Sequence, residues 1–433
     1  MNCSCAGALI GMWKGDSEMK SRILTLLTAM TLFAALAAPV WLAAQEPQCK
    51  KPTHYTVTDL GTLGGTYSLA GGISNSGWVS GQSTLPDGYY HPAVWRNDVI
   101  TDLGTLGGLN GWAGWVPNDS GWAGGAAETS TKDPNGEDYC GFGTYLECRP
   151  FLWRDGAMTE LPTLGGNNGE SAGVNNLGQV GGGVENTTVD PTCVGPQGYY
   201  KVKAVVWENG EIRELPTLFR RDSRSWVLGI NDRGQMAGVS GNCSTNNIHP
   251  LLWQDGKVIY LGTLGGKINN VAYDINNQGQ VVGYSDLPGD TTMHGYLWQK
   301  STGMIDLGTL PGDVGSDADG INNLGQVVGG SWDADGNDRA YIWQNGVMTD
   351  LNTLIPPNSP LYLIEATGTI NDWGQIAGIG LTSAGDVHAF LATPTWENWT
   401  ISERPKVVLP DDVRKLVQQL RARRVGHKLP RAQ

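Results

Sequence analysis

Carboxylates are the commonest reactive groups in this sequence. Asp313, Asp317, Asp319, Asp333, Asp335 and Asp338 crowd one stretch, and paired acids can carry out glycoside chemistry. The run Asp333-Ala334-Asp335-Gly336-Asn337-Asp338 offers alternating oxygens that suit a hard cation. Its Gly stands in the wrong place for an EF-hand loop, however, and no Glu follows at the required distance. A solvated acidic turn is the expectation there. Nothing marks two of the acids as a pair, the GxSxG string at 169–173 has no helical pattern after it to make an elbow, and no HExxH helix is present. The sequence therefore assigns no catalytic residue, no metal ligand and no cofactor. The other chemistry on offer is stacking. Trp78, Trp112, Trp115, Trp122 and Trp226 fall outside the position where Trp regularly recurs, and they are the candidate ligand-binding residues. For Trp78 and Trp122 the alternative is that each replaces a Gln that usually follows a turn Gly.

These residues are carried by a repeat. Asp59–Gly65 reads DLGTLGG, and relatives follow at 102–108, 160–166, 214–218, 260–266, 306–310 and 350–354, each keeping its Thr-Leu pair. A period of roughly 45 residues marks a repeat architecture. Each unit contains four short apolar runs separated by Gly, Asn and Asp, the signature of strands and tight turns. In the first unit the runs are Ser68–Ser74, Trp78–Gln82, His91–Trp95 and Val99–Leu103. Asn before Gly recurs at the first turn, and Asp-Gly or Asn-Gly at the second, residues that tolerate the positive φ of hairpins.

The third run recurs as a basic residue, three small or apolar residues and Trp. The basic residue meets an acid on the fourth run, giving the pairs His91 and Asp102, Arg149 and Glu160, Lys203 and Glu214, His294 and Asp306, and Arg339 and Asp350. Antiparallel neighbours would place each pair directly or diagonally across a hairpin. The competing reading is a ring of basic residues that binds an anion. Only His249 lacks an acid, facing Tyr260, and four of the six His residues occupy this position. The recurrent Trp reads as a core layer.

Four antiparallel strands per unit predict an all-β fold, a seven-bladed β-propeller. The seventh unit has only three strands, near Ile364–Ile370, Gln375–Ile379 and His388–Ala392, whereas His54–Leu60 is a strand with no unit before it. Joining them closes the ring, pairs His388 with Asp59 and leaves no open edge. An open solenoid is the alternative. The expected organisation is a signal peptide over 1–44 (the true start possibly Met19), a linker over 45–53, the propeller over 54–394, and a linker with a short basic amphipathic helix over 395–433. In that helix Val413, Leu416, Val417 and Leu420 share one face. It either docks on the propeller or tethers the chain to anionic envelope polymers.

The motifs DLGTLGG (102–108), INNLGQVVG (321–329) and HAFL (388–391) resemble the HAF repeat of bacterial extracellular proteins, over about residues 55–392. The resemblance implies export and a propeller-like array, and it brings no established reaction. Lys20, Arg22, the apolar run Ile23–Leu42 and the small residues before Gln45 also read as an export signal. The expected location is secreted, extracellular or periplasmic, with no transmembrane span in the mature form. Export permits disulfides, and Cys140 with Cys148 and Cys193 with Cys243 are the candidates, leaving Cys49 over; free thiols are the alternative. The net charge is −13, with +1 on residues 1–44, +5 on 409–433 and −19 between them, which excludes a nucleic-acid binder. The insertions at Glu128–Cys148, Glu185–Lys201 and Ser240–Ile248 make one face irregular, and loops on rigid scaffolds carry binding. The expected function is a monomeric, non-catalytic binding module or scaffold, its partner a carbohydrate or envelope polymer. The alternatives are a propeller enzyme of the glycoside hydrolase or lyase type and a structural protein-interaction scaffold of the envelope.

Overall fold

The structure is a computed structural model that describes residues 54–193, 199–244, 247–397 and 407–426, with side chains up to 421 at the C-terminal end. The expected signal peptide, Cys49 and the linker ending at 53 lie outside these residues. Among the described residues, twenty-nine short strands form seven antiparallel blades. Blade 1 contains Ser68–Ile73, Val79–Thr84, Tyr90–Arg96 and Val99–Asp102, paired in that order. Blades 2 to 6 repeat the plan, and a single parallel pair, Val202 with Arg224, joins blades 3 and 4. In blade 6 the inner strand is broken into Gly315–Ser316 and Gly320–Ile321.

The ring closes as the sequence predicts. Blade 7 takes Leu361–Glu365, Ile376–Thr382 and Val387–Thr395 from one end of the chain and His54–Asp59 from the other. Its closing register runs from His54 opposite Thr395 to Asp59 opposite Phe390. Blade 7 also touches blade 1 directly: the Ala389 amide donates to Ser68 Oγ, and Thr367 Oγ1 donates to the Ala70 carbonyl. The inner strand of blade 7 ends at Glu365, earlier than the expected Ile364–Ile370, because the ladder slips between Leu363 and Glu365.

The DLGTLGG motif is the joint between blades. Asp59 Oδ1 accepts the Gly61 amide at 2.8 Å, which caps the bend, and Thr62 Oγ1 donates to the Gly65 carbonyl at 2.7 Å. Gly64 has φ +105°, a conformation that excludes side chains. The Trp of the following blade locks onto the joint: Trp95 Nε1 donates to the Leu60 carbonyl, Trp207 Nε1 to Pro162 and Trp253 Nε1 to Pro216. Trp95, Trp207, Trp253 and Trp298 are buried, while Trp153 and Trp343 are partly buried against the core.

The tail is one helix, α1, spanning Asp411–Gly426, with Asp411 and Asp412 in its first turn where the helix dipole favours acids. Val413, Val417 and Leu420 pack with Leu409 against Ile364 and Ile379 of blade 7 and Tyr67 beside blade 1. The acidic turn 333–338 is therefore not simply solvated. Asn337 Oδ1 accepts the Leu409 amide, and Arg414 donates to the Asp335 carbonyl. Among the described residues no helix is long and apolar enough to cross a membrane.

Candidate functional site

The inner strands of all seven blades face a central channel, and the channel holds a cavity of about 290 Å³. One end is built by the first turn of each blade. The structure refines the expected role of Asn there: positive φ belongs to the following Gly, as at Gly178 with φ +80°. The Asn side chain works instead as an acceptor and a strap. Asn175 Oδ1 accepts the Leu177 and Gln179 amides, while its Nδ2 donates to the Asn231 carbonyl of the next blade. The same strap runs from Asn118, Asn231, Asn276 and Asn322, and then from Asn371 to Ser74. A second belt follows one residue later. The Asp119 amide donates to Asn176 Oδ1, and the series continues through Asp232, Asn277, Asn323 and Asp372 to Asn75. These seven residues form the at least partly exposed rim of the cavity.

The opposite end lies beneath the irregular loops, where Tyr139, Cys140 and Phe142 of the blade 2 insertion and Leu420 of α1 line the cavity. Both candidate disulfides are formed, Cys140–Cys148 within the blade 2 insertion and Cys193–Cys243 between the insertions of blades 3 and 4. Phe142 stacks on Tyr90 with ring centroids 5.8 Å apart.

Three of the five candidate Trp residues, Trp112, Trp115 and Trp226, line this cavity. Trp115 lies beyond the end of its strand, and its ring centre is 6.3 Å from that of Tyr273 in blade 5. Trp78 and Trp122 are not among the lining residues. They fill the Gln position and stack under Arg96 and Arg154 at the blade seams. All the cross-strand pairs are made: His91–Asp102 at 2.8 Å, His388–Asp59 and His294–Asp306 at 2.9 Å, Arg339–Asp350 at 3.2 Å, Arg149–Glu160 at 3.8 Å and Lys203–Glu214 at 3.9 Å. His249 instead packs edge-on against Tyr260 and Phe219.

Of the carboxylates in the cavity wall, Asp319 belongs to the acidic stretch singled out in the sequence, whereas sequence reasoning missed Glu170 and Asp274. A signal was available for Asp274. The equivalent position is Gly72, Gly173, Gly229 and Gly320 in four other blades. Asp274 accepts the amides of Ile275 and, across the seam, Ile321. Burial pushes its carboxyl up to about 6 despite these two bonds.

Two further acids meet behind the wall, one from each of two insertions. Glu137 lies beside Glu185, whose Oε2 accepts the amides of Asn167 and Asn168. Burial, then Glu185 and Asp133, push the Glu137 carboxyl up to about 9. The folded state thus holds a proton that the unfolded chain releases above its ordinary value of 4.5. Stability falls as pH rises from that value toward the folded one. Glu137→Gln should match the wild type in urea unfolding at pH 5 and exceed it at pH 8.5, by about 2 kcal/mol if one to two pKa units are relieved. An equal pH slope for the two proteins would refute the raised Glu137 carboxyl.

No family model matches the chain, and no curated protein matches it. Solved structures similar to it include the acylaminoacyl peptidase of Pyrococcus horikoshii, at 16% identity and a TM-score of 0.43, covering 65% of this chain. This chain spans 44% of that peptidase, less than half its length. The β-propeller domain of the Trilobed protease from Pyrococcus furiosus shares 10% identity at a TM-score of 0.43, over 82% of this chain and 100% of that one. A putative TolB from Agrobacterium tumefaciens shares 12% identity at a TM-score of 0.37, over 58% and 85% respectively.

Proposed function

We propose that this chain is an exported, monomeric, non-catalytic binding module of the HAF-repeat type that holds a sugar-like ring in the channel cavity. The observation that carries the reading is the convergence of Trp112, Trp115 and Trp226 on one cavity in the channel. An aromatic-walled cavity with a few polar groups is the general form of a small-ligand site. Export is supported by the two disulfides and by the basic and apolar pattern before Gln45. Calorimetric titration with a panel of mono- and oligosaccharides, run beside a reducing-sugar assay, tests this. Binding without turnover is expected, weakened about tenfold by Trp115→Ala, as the loss of one stacking contact implies. Turnover would replace this reading with the glycoside hydrolase or lyase one. Silence across the panel would end it in favour of a scaffold.

A further inference from the structure

We infer that the ligand of the channel cavity carries a positively charged ammonium group, so that among sugars an amino sugar is preferred to its neutral or acylated counterpart. This rests on the binding reading above and adds the charge of what is bound.

The first ground is the lining. None of the described residues around the cavity is Lys, Arg or His, while Glu170, Asp274 and Asp319 stand in its wall and Asp119, Asp232 and Asp372 on its rim. A concave site with carboxylates at two depths and low-dielectric walls concentrates cations and repels anions.

The second ground is Asp274. Four other blades place Gly at this point of the inner strand, so the blade plan does not call for a carboxylate. Putting one in the wall costs desolvation, which is visible in its raised pKa. Each of its oxygens accepts one backbone amide, and a carboxylate oxygen has room for a second donor. Tyr273 precedes it in the chain and Trp115 lies 6.3 Å from Tyr273 between ring centres. An ammonium group at this wall would meet a carboxylate and aromatic rings, the combination that recognises such cations in desolvated sites.

The test is calorimetric titration of the wild-type protein at pH 7 with glucosamine, N-acetylglucosamine and choline. Glucosamine should bind at least about tenfold more tightly than N-acetylglucosamine. Asp274→Asn should narrow that ratio, and so should Asp319→Asn, which bears on the same field if the first variant folds poorly. Equal or tighter binding of N-acetylglucosamine would overturn the charge preference and leave the carbohydrate reading standing. Choline binding without either sugar would uphold the ammonium preference and remove the carbohydrate. No binding of any of the three would overturn both.

Discussion

Replacing Arg421 with Met should release helix α1 from the propeller while the blades stay folded. Arg421 is only 7% exposed. Its Nη2 donates to Asp338, its Nε lies 3.5 Å from Asp317, and its guanidinium carbon sits 3.5 Å above the centre of the Trp332 ring. Glu365 adds to the field around it. Burial works against the charge of Arg421, but the three acids outweigh it and raise its pKa. The acids are in turn crowded. Burial pushes Asp338 up to about 8, with Arg421 acting in the opposite direction. Removing one partner of such a buried set leaves uncompensated charge, which costs on the order of 3–5 kcal/mol. Undocking lets water reach the acids and limits the loss to the helix. Hydrogen exchange should therefore speed up by about 100-fold or more in residues 409–421 and remain slow in the inner strands. Arg421→Lys, which keeps charge but loses the planar fork and the stacking, should fall between. Unchanged exchange in Arg421→Met would mean that the apolar face alone holds the helix.

Deleting residues 54–60 should cost more than any single core substitution outside blade 7. The deletion removes a six-residue ladder, the His388–Asp59 pair, the carbonyl that accepts Trp95 Nε1, and the buried side chains of Tyr55 and Leu60. Those two side chains alone account for about 3–6 kcal/mol of lost burial. The bare edge of Val387–Thr395 would also be open to pairing with another molecule. Urea unfolding should shift accordingly, and light scattering should show dimers or larger species. A monomer of unchanged stability would show that closure through blade 7 is not what holds the ring.

The blades and the six cross-strand pairs were legible because the unit is written seven times and all but the His388–Asp59 pair depend on spacing within one unit. The straps of Asn118 to Asn371 were only half legible. The turn is local, but its amide reaches into the next blade, and register between blades leaves no mark within one unit. Trp115 was legible as an irregular Trp, though not as a channel residue, because it lies past the end of its strand, where alternation no longer sets its direction. Glu137 and Glu185 come from two insertions with no repeat to compare, so only the folded chain brings them together. The same holds for Arg421, whose partners Asp317, Asp338 and Glu365 come from two blades. Asp274 is the exception, a departure from a repeated Gly that could have been found by aligning the units.

The closing strand also sets an order in time. Thr56 and Thr393 are bonded in the finished ring and stand 337 residues apart. At about 5–20 residues per second of synthesis, the first waits roughly half a minute for the second to exist, whereas each hairpin between them can form in microseconds. During that interval His54–Asp59 is a strand without a sheet. Its make-up suits that state: it ends in a carboxylate, and its threonines stay at least partly exposed even after pairing, with Tyr55 its one fully buried side chain. The segment that completes the propeller is thus the one whose sequence must also be tolerable as a free peptide.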